Sequence, residues 1–178
     1  MVTIASSFTR GRRWHAGQAL TCIAWSPHGR SLAVAGDAAQ IEVWDVQTGS
    51  VSSIHTSHTD IVTSVSWSPY GRYIASSSKD GTVQIWNTAT GTTEHLLDQS
   101  ASIHVHVVAW SPDSHTLAWA GSDWIIHIWD MHTLSPVQVL SNHTSGIIDI
   151  HWSHDSRHLV SSGEDGLIHV WDALTLPH

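Results

Sequence analysis

Eleven tryptophans stand in this chain of 178 residues, and eight of them form four pairs with one fixed spacing. Trp25, Trp67, Trp110 and Trp152 are each followed, 19 positions later, by Trp44, Trp86, Trp129 and Trp171. Successive pairs follow at 42, 43 and 42 residues. A fixed period of this length demands a repeat architecture, in which each unit buries its apolar face only against its neighbours. It also constrains function, because stacked repeats build a surface more readily than a catalytic pocket.

The second unit reads HTDIVTSVSWSPYGRYIASSSKDGTVQIWNTATG. Residues 61–67 alternate and are rich in Val, Thr and Ser, which predicts a strand. Ser68-Pro69-Tyr70-Gly71 is a turn, with Pro pre-setting φ and Gly accepting positive φ. Further strands are predicted over 73–77, 82–86 and 92–97. Lys79-Asp80-Gly81 and residues 87–91 are the turns between them. WSPHGR, WSPYGR, WSPDSH and WSHDSR repeat the first turn, and IEVWD, VQIWN, IHIWD and IHVWD repeat the third strand. No segment keeps a helical period. Four short strands per roughly 40–45 residues is the blade plan of an all-β propeller.

These motifs resemble the tryptophan–aspartate (WD) repeat family, from about Trp14 to Asp172. The dipeptide stands at Trp44-Asp45, Trp129-Asp130 and Trp171-Asp172, with Trp86-Asn87 in the second unit. The resemblance implies a buried set of four polar side chains per blade. By motif position the second blade carries His58, Ser76, Asp80 and Trp86, and the fourth carries His143, Ser161, Asp165 and Trp171. Such sets look like catalytic triads on paper. A buried set without a nucleophile open to substrate is structural.

The first and third blades depart from the pattern. In the first, His15 and the Asp37 turn are out of step and an apolar residue replaces the serine. In the third the histidine is missing and Trp119 takes the serine place, while Asp123 and Trp129 remain. SLAVAGDAAQIEVWD also aligns with TLAWAGSDWIIHIWD, which suggests a two-blade ancestral unit.

The family resemblance also bears on closure. Propellers of this family close with about seven blades, at roughly 45–60° each, so four blades cover about half of a ring. The expected fold is therefore all-β, with residues 1–178 forming a single array of four four-stranded blades. The fourth blade is short of an outer strand, and residues 2–8 fall where the outer strand of a preceding blade belongs. A homodimer satisfies both facts: residues 1–14, strand and loop, would complete the partner's last blade in an eight-bladed ring with twofold symmetry. The rival arrangements are a closed four-bladed monomer and an excerpt of a longer propeller.

Composition narrows the partners. A net charge of −8 argues against nucleic acid, which selects a basic face. Arg10, Arg12 and Arg13 concentrate three of the seven basic residues, as a solvated loop or an anion-facing patch. Cys22 is the one cysteine, so no intrachain disulfide forms, as suits a reducing compartment. The first ten residues do not read as a signal peptide, and no apolar run approaches the roughly 20 residues of a membrane helix. A cytoplasmic protein without membrane contact is expected.

The resemblance places partner contacts on the innermost strands and the second hairpin turns. These positions are Ile61, Thr63 and Lys79 in the second blade, His104, His106 and Ser122 in the third, and Gly146, Ile148 and Glu164 in the fourth. The first blade offers Ala19 and Thr21, its turn being too irregular to assign. Trp124 is a further aromatic anchor. His104 and His106 share a strand face and could reach one ion, but no further ligand is at hand, so no metal or cofactor is expected. A non-enzymatic protein–protein or peptide scaffold is the function these features favour. A half-propeller, engineered or excerpted and defined by its self-assembly, is the first alternative. Small-molecule or metal binding at a His-lined mouth is the second. No P-loop, GxSxG, HExxH or carboxylate pair supports an enzyme.

Overall fold

The computed structural model describes residues 11–99 and 103–173. Fifteen strands fill these residues, in four antiparallel sheets. The first blade is β1 (Leu20–Trp25), β2 (Ser31–Gly36), β3 (Ile41–Asp45) and β4 (Ser50–His55). The second is β5 (Val62–Trp67), β6 (Tyr73–Ser78), β7 (Thr82–Asn87) and β8 (Thr93–Gln99). The third is β9 (Val105–Trp110), β10 (Thr116–Gly121), β11 (Ile126–Asp130) and β12 (Ser135–Leu140). The fourth is β13 (Ile147–Trp152), β14 (His158–Gly163) and β15 (Ile168–Asp172). Strand order follows chain order in every sheet, as the short turns require. The outer strand of the second blade starts at Thr93, not 92, because the Thr92 carbonyl closes the preceding turn by accepting from Asn87 N–H at 3.0 Å.

Each pair of neighbouring blades seals one apolar seam. Ala33, Ala35, Ile41 and Val43 meet Val62, Val65, Ile74 and Trp86 in the first. Val83, Ile85 and Leu97 meet Val105, Val108, Leu117 and Trp119 in the second. Ala118, Ile126 and Ile128 meet Ile147, Ile150 and Leu159 in the third. Both faces of an inner blade are therefore apolar, which explains the near-continuous hydrophobicity of the second and third strands. Cys22 lies against the first seam, where burial pushes its thiol up to about 11 and leaves it a packing residue.

Every innermost strand carries a bulge at the same place. The register skips one residue between Leu20 and Cys22, Val62 and Ser64, Val105 and Val107, and Ile147 and Asp149. The skipped residues are Thr21, Thr63, His106 and Ile148. A bulge re-aims its side chain, and three of these four reach the next blade. Thr21 Oγ1 donates to the Val62 carbonyl, and Thr63 Oγ1 donates to the Val105 carbonyl at 2.7 Å. His106 Nδ1–H donates to the Ile147 carbonyl at 2.8 Å.

The two end faces are open. Leu20, Ile23 and Trp25 on the first blade are 49, 61 and 59% exposed, and Val160, Ile168 and Val170 on the fourth are 37, 76 and 67% exposed. Among the described residues β13 makes no packing with β1 comparable to that between successive innermost strands. Residues 1–10, including the expected closing strand over 2–8 and Arg10, lie outside the described residues. Residues 11–14 form no strand; Arg12 donates to the Val46 and Gln47 carbonyls at 3.2 and 2.7 Å, and Trp14 stacks on Trp44 at 6.0 Å. No helix among the described residues is long and apolar enough to cross a membrane.

Candidate functional site

Two surfaces bear on function: the polar set inside each blade, which shapes the hairpin turns, and the rim those turns present. In the second blade the polar set is one chain of hydrogen bonds. Trp86 Nε1–H donates to Ser76 Oγ at 2.7 Å, and Ser76 Oγ–H donates to His58 Nε2 at 2.7 Å. His58 Nδ1–H donates to Asp80 Oδ2 at 2.9 Å. Asp80 also accepts from Thr59 N–H, Thr82 N–H and Thr82 Oγ1–H, which fixes the turn over residues 79–81. The fourth blade repeats this with Trp171, Ser161, His143 and Asp165 at 3.0, 2.9 and 2.8 Å. At Gly163 a Cβ would stand 2.7 Å from His143 Nδ1, whereas the second blade accommodates Ser78 at the equivalent place, its Oγ accepting from Asp80 N–H at 3.1 Å.

The electrostatics of the second blade favour a neutral histidine and an ionised aspartate. Burial lowers the His58 pKa, against the opposing pull of Asp80. Burial alone would raise Asp80, but the bonds from Thr82, Thr59 and His58 hold it below its ordinary value. The Thr144 N–H takes Asp165 down to about 2, with Leu167 and His143 adding to it against desolvation. Ser76 is fully buried, so its hydroxyl sits behind the sheet with no path for a substrate.

The first and third blades solve the same packing problem from another position. Each third strand has a residue two places before its Trp, on the same face. In the first blade this is Glu42, 5% exposed, whose Oε2 accepts from Trp44 Nε1–H at 2.9 Å. In the third it is His127, which pairs Nε2 with Asp123 Oδ2 at 2.8 Å and stacks on Trp119 at 5.4 Å. Asp123 thus keeps a histidine partner drawn from the strand instead of the entry loop. Gln84 and His169 hold the corresponding places beside His58 and His143. Sequence reasoning passed over Glu42 and His127; their signal was the shared spacing EVW, QIW, HIW and HVW.

The rim positions divide into two groups. Thr63 and His106 are bulge residues committed to the seams. Ile61, Lys79, His104, Ser122, Trp124 and Glu164 lie at the hairpin end, with Lys79, His104, Trp124 and Glu164 exposed, while Ile148 is the bulge residue of the fourth blade and is exposed on its open side. His104 Nδ1–H donates to the Lys79 carbonyl at 2.8 Å, and Ser145 Oγ–H donates to Glu164 at 3.1 Å. The first blade's turn is now assignable. Asp37 Oδ1 accepts from Ala19 N–H at 3.1 Å, as Ser122 Oγ accepts from His104 N–H at 3.0 Å, so Asp37 is the rim residue there. Both His104 and His106 spend Nδ1 on backbone carbonyls. No group of three or more His, Cys, Asp or Glu among the described residues is placed to hold a metal ion.

Trp124 stands out on the rim. It is 50% exposed and adopts φ of 68°, where the second and fourth blades have Gly81 and Gly166 at 82° and 75°. A bulky residue in the left-handed region is strained, and strain of that kind collects at functional surfaces.

No curated protein matches the chain. The family model described as the WDR19 first beta-propeller matches residues 21–174, which include all fifteen strands except the first residue of β1. That match, the four in-phase blades and the two complete polar sets agree: the chain belongs to this family of WD-repeat β-propellers.

Proposed function

We propose that the chain is a non-enzymatic interaction scaffold, presenting its hairpin rim to a protein or peptide. We further propose that a second copy completes the ring to eight blades. The carrying observation is the chemistry of the open ends. Leu20, Ile23 and Trp25 occupy the positions that Val62, Val65 and Trp67 use to seal against a preceding blade. Ile168, Val170 and Val160 occupy those that Ile126, Ile128 and Ala118 use toward a following one. Monomers rarely leave such contiguous apolar patches in water. Two copies related by a twofold axis would bring each first-blade face onto the other's fourth-blade face. In the seams already present, Trp67 Nε1–H donates to the Ala24 carbonyl and Trp152 Nε1–H to that of Ala109. The equivalent bond would run from Trp25 to the carbonyl of His151 of the partner subunit.

Light scattering on the intact chain tests closure. A species at twice 19.5 kDa is expected, falling to 19.5 kDa in Trp25→Asp. A native species at 19.5 kDa ends the reading of a ring completed by a second copy. Partner recognition is tested by peptide selection against the native chain. Selected peptides should lose affinity for Trp124→Ala by at least tenfold, the expected share of a central aromatic anchor. Peptides indifferent to that change place the recognition surface elsewhere.

A further inference from the structure

Beside its own four strands, the first blade holds a short segment that follows the course of a preceding blade's outer strand. The seam between the first and second blades shows what that course is. There His55 ends β4 and lies on two features of the next blade. One is Trp86, at 5.0 Å; the other is Gly91, whose carbonyl accepts from His55 Nδ1–H at 3.2 Å. Trp14 meets the same two features one blade earlier. It stacks on Trp44 at 6.0 Å, and it covers Gly49 so closely that a Cβ there would run into the indole. Gly49 and Gly91 are matched turn residues, at φ of 72 and 73°.

The match extends back along the chain. Two residues before His55, Ser53 lines a cleft together with Thr88 and Ala89. Two residues before Trp14, Arg12 donates to the carbonyls of Val46 and Gln47. Val46 and Thr88 hold equivalent places, since their N–H groups donate to the Arg30 and Arg72 carbonyls at 2.9 and 3.0 Å. Residues 12–14 therefore run where residues 53–55 run, but form no strand.

The other end of the molecule offers what they would pair with. β3, β7 and β11 each pair with an outer strand, whereas among the described residues β15 pairs with β14 alone. The free edge of β15 presents a row of backbone N–H and C=O groups that one more strand would satisfy. The complete blades set the register. Ile41 pairs with His55 and Val43 with Ser53, just as Ile126 pairs with Leu140 and Ile128 with Gln138. Ile168 and Val170 hold the places of Ile41 and Val43, so they match Trp14 and Arg12. In both complete blades the outer strand then skips one residue, Ser52 or Val137. The matching residue is Gly11, a type that a bulge accepts without steric cost. The innermost strands pack in the order β1, β5, β9, β13, so Trp14 and β15 stand at opposite ends of the array. A second copy can bring them together.

We propose that residues 9–14 of each copy add to β15 of the other as its fourth, antiparallel strand. Trp14 then stands opposite Ile168 of the partner subunit, and Arg12 opposite Val170 of the partner subunit. The proposal rests on the ring of two copies put forward above, and it moves the added strand from residues 2–8 to a strand that ends at Trp14. Exchange of an identical element about a twofold axis joins the two chains by backbone pairing as well as by their apolar faces.

The test is directed cross-linking in the full chain, with Cys22→Ser as background; Ser64 holds that place in the second blade. Directly opposed residues of an antiparallel pair stand about 4.5–5.5 Å apart at Cβ, within reach of a disulfide after small adjustment. Chains carrying Arg12→Cys are mixed with chains carrying Val170→Cys, refolded together and oxidised. Both positions are exposed, so neither change removes a core contact. A reducible species at twice 19.5 kDa is expected from the mixture, and none from either chain alone or from Arg12→Cys mixed with Tyr70→Cys. A chain that scatters as a dimer yet gives no mixed disulfide overturns the strand exchange and leaves the ring of two copies standing. A chain that scatters as a monomer overturns both. The doubly substituted chain, Arg12→Cys with Val170→Cys, exposes the remaining rival. A disulfide within one chain at 19.5 kDa means that the segment pairs with its own β15, which also overturns the exchange.

Discussion

The second and fourth blades fill the space beside the third-strand Trp with a serine and a histidine. The first and third fill it with Glu42 and with Trp119 over His127. The difference shows what the blade requires. It needs a filled volume and paired polar atoms, and not any one residue type. It also shows what the histidine adds. His58 and His143 precede their first strands, so their bonds to Asp80 and Asp165 tie the entry loop to the hairpin turn. Glu42 and His127 lie within the sheet and tie no entry loop. In the second and fourth blades the buried histidine thus joins entry loop to hairpin turn, whereas in the first and third that tie is made at the rim, by Asp37 and Ser122, and the space beside the Trp is filled separately.

The strongest test of this contrast puts the wrong solution into the third blade. Trp119→Ser installs the family serine where no histidine waits for it, and empties a core between two blades. A loss of about 3–5 kcal/mol is expected from urea denaturation, as for other buried aromatic truncations. A loss below about 1 kcal/mol would show that the stack of Trp119 on His127 is not the substitute described here. The reciprocal change is smaller. Ser76→Ala strands Trp86 Nε1–H and His58 Nε2 in a dry site and should cost about 2–3 kcal/mol. Slow amide exchange at Thr59, which donates to Asp80 at 2.9 Å, should be lost with it. If exchange at Thr59 stays slow in that variant, the entry loop is held by something other than this chain of bonds.

Glu42 separates acceptor from volume. Glu42→Gln keeps a carbonyl for Trp44 Nε1–H and should change stability by less than about 1 kcal/mol, whereas Glu42→Leu should cost about 2 kcal/mol. Equal effects in the two melts would mean that the indole does not need its acceptor.

These substitutes explain what the sequence made legible and what it did not. Blade number, strand order and the two complete sets follow from spacing, because a period-2 strand and a fixed turn leave one register for His58, Ser76, Asp80 and Trp86. Glu42 and His127 were hidden because both are polar residues in strands, where a solvent-facing side chain is the ordinary outcome. Trp14 stacked on Trp44 covers that face in the first blade, and Trp119 stacked on His127 covers it in the third. The family resemblance places Thr63 and His106 at the rim with Ile61 and His104. The bulge that turns them into the seam is set by backbone pairing, which side-chain identity does not encode.

Acid should weaken the packing around Trp86, against which His55 of the first blade and His58 of the second both lie. Burial holds both His58 and His55 below 6.5, so the folded chain resists protonation that the unfolded chain accepts freely. Their contribution is complete above about pH 6.5 and is lost as pH falls toward the lowered folded values. The urea midpoint should therefore decline between pH 7.5 and 5.5, and His58→Gln should flatten part of that decline. An unchanged slope in the variant would remove His58 from the account.

The smallest effect has the opposite sign and concerns the rim. Trp124 holds φ of 68° where Gly81 and Gly166 need no steric concession. Trp124→Gly should relieve the left-handed strain and stabilise the chain by up to about 1 kcal/mol, the gain being reduced by the entropy a glycine adds to the unfolded state. Gly81→Trp, at the matched turn of the second blade, should destabilise by about 1–2 kcal/mol. Paired melting curves of these two variants separate the possibilities. Opposite shifts mean that the third blade carries an exposed indole at a cost to its own stability, which is intelligible for a contact surface and not for a packing residue. A destabilised Trp124→Gly would instead make Trp124 part of the third blade's aromatic solution, and would remove the principal anchor from the proposed rim.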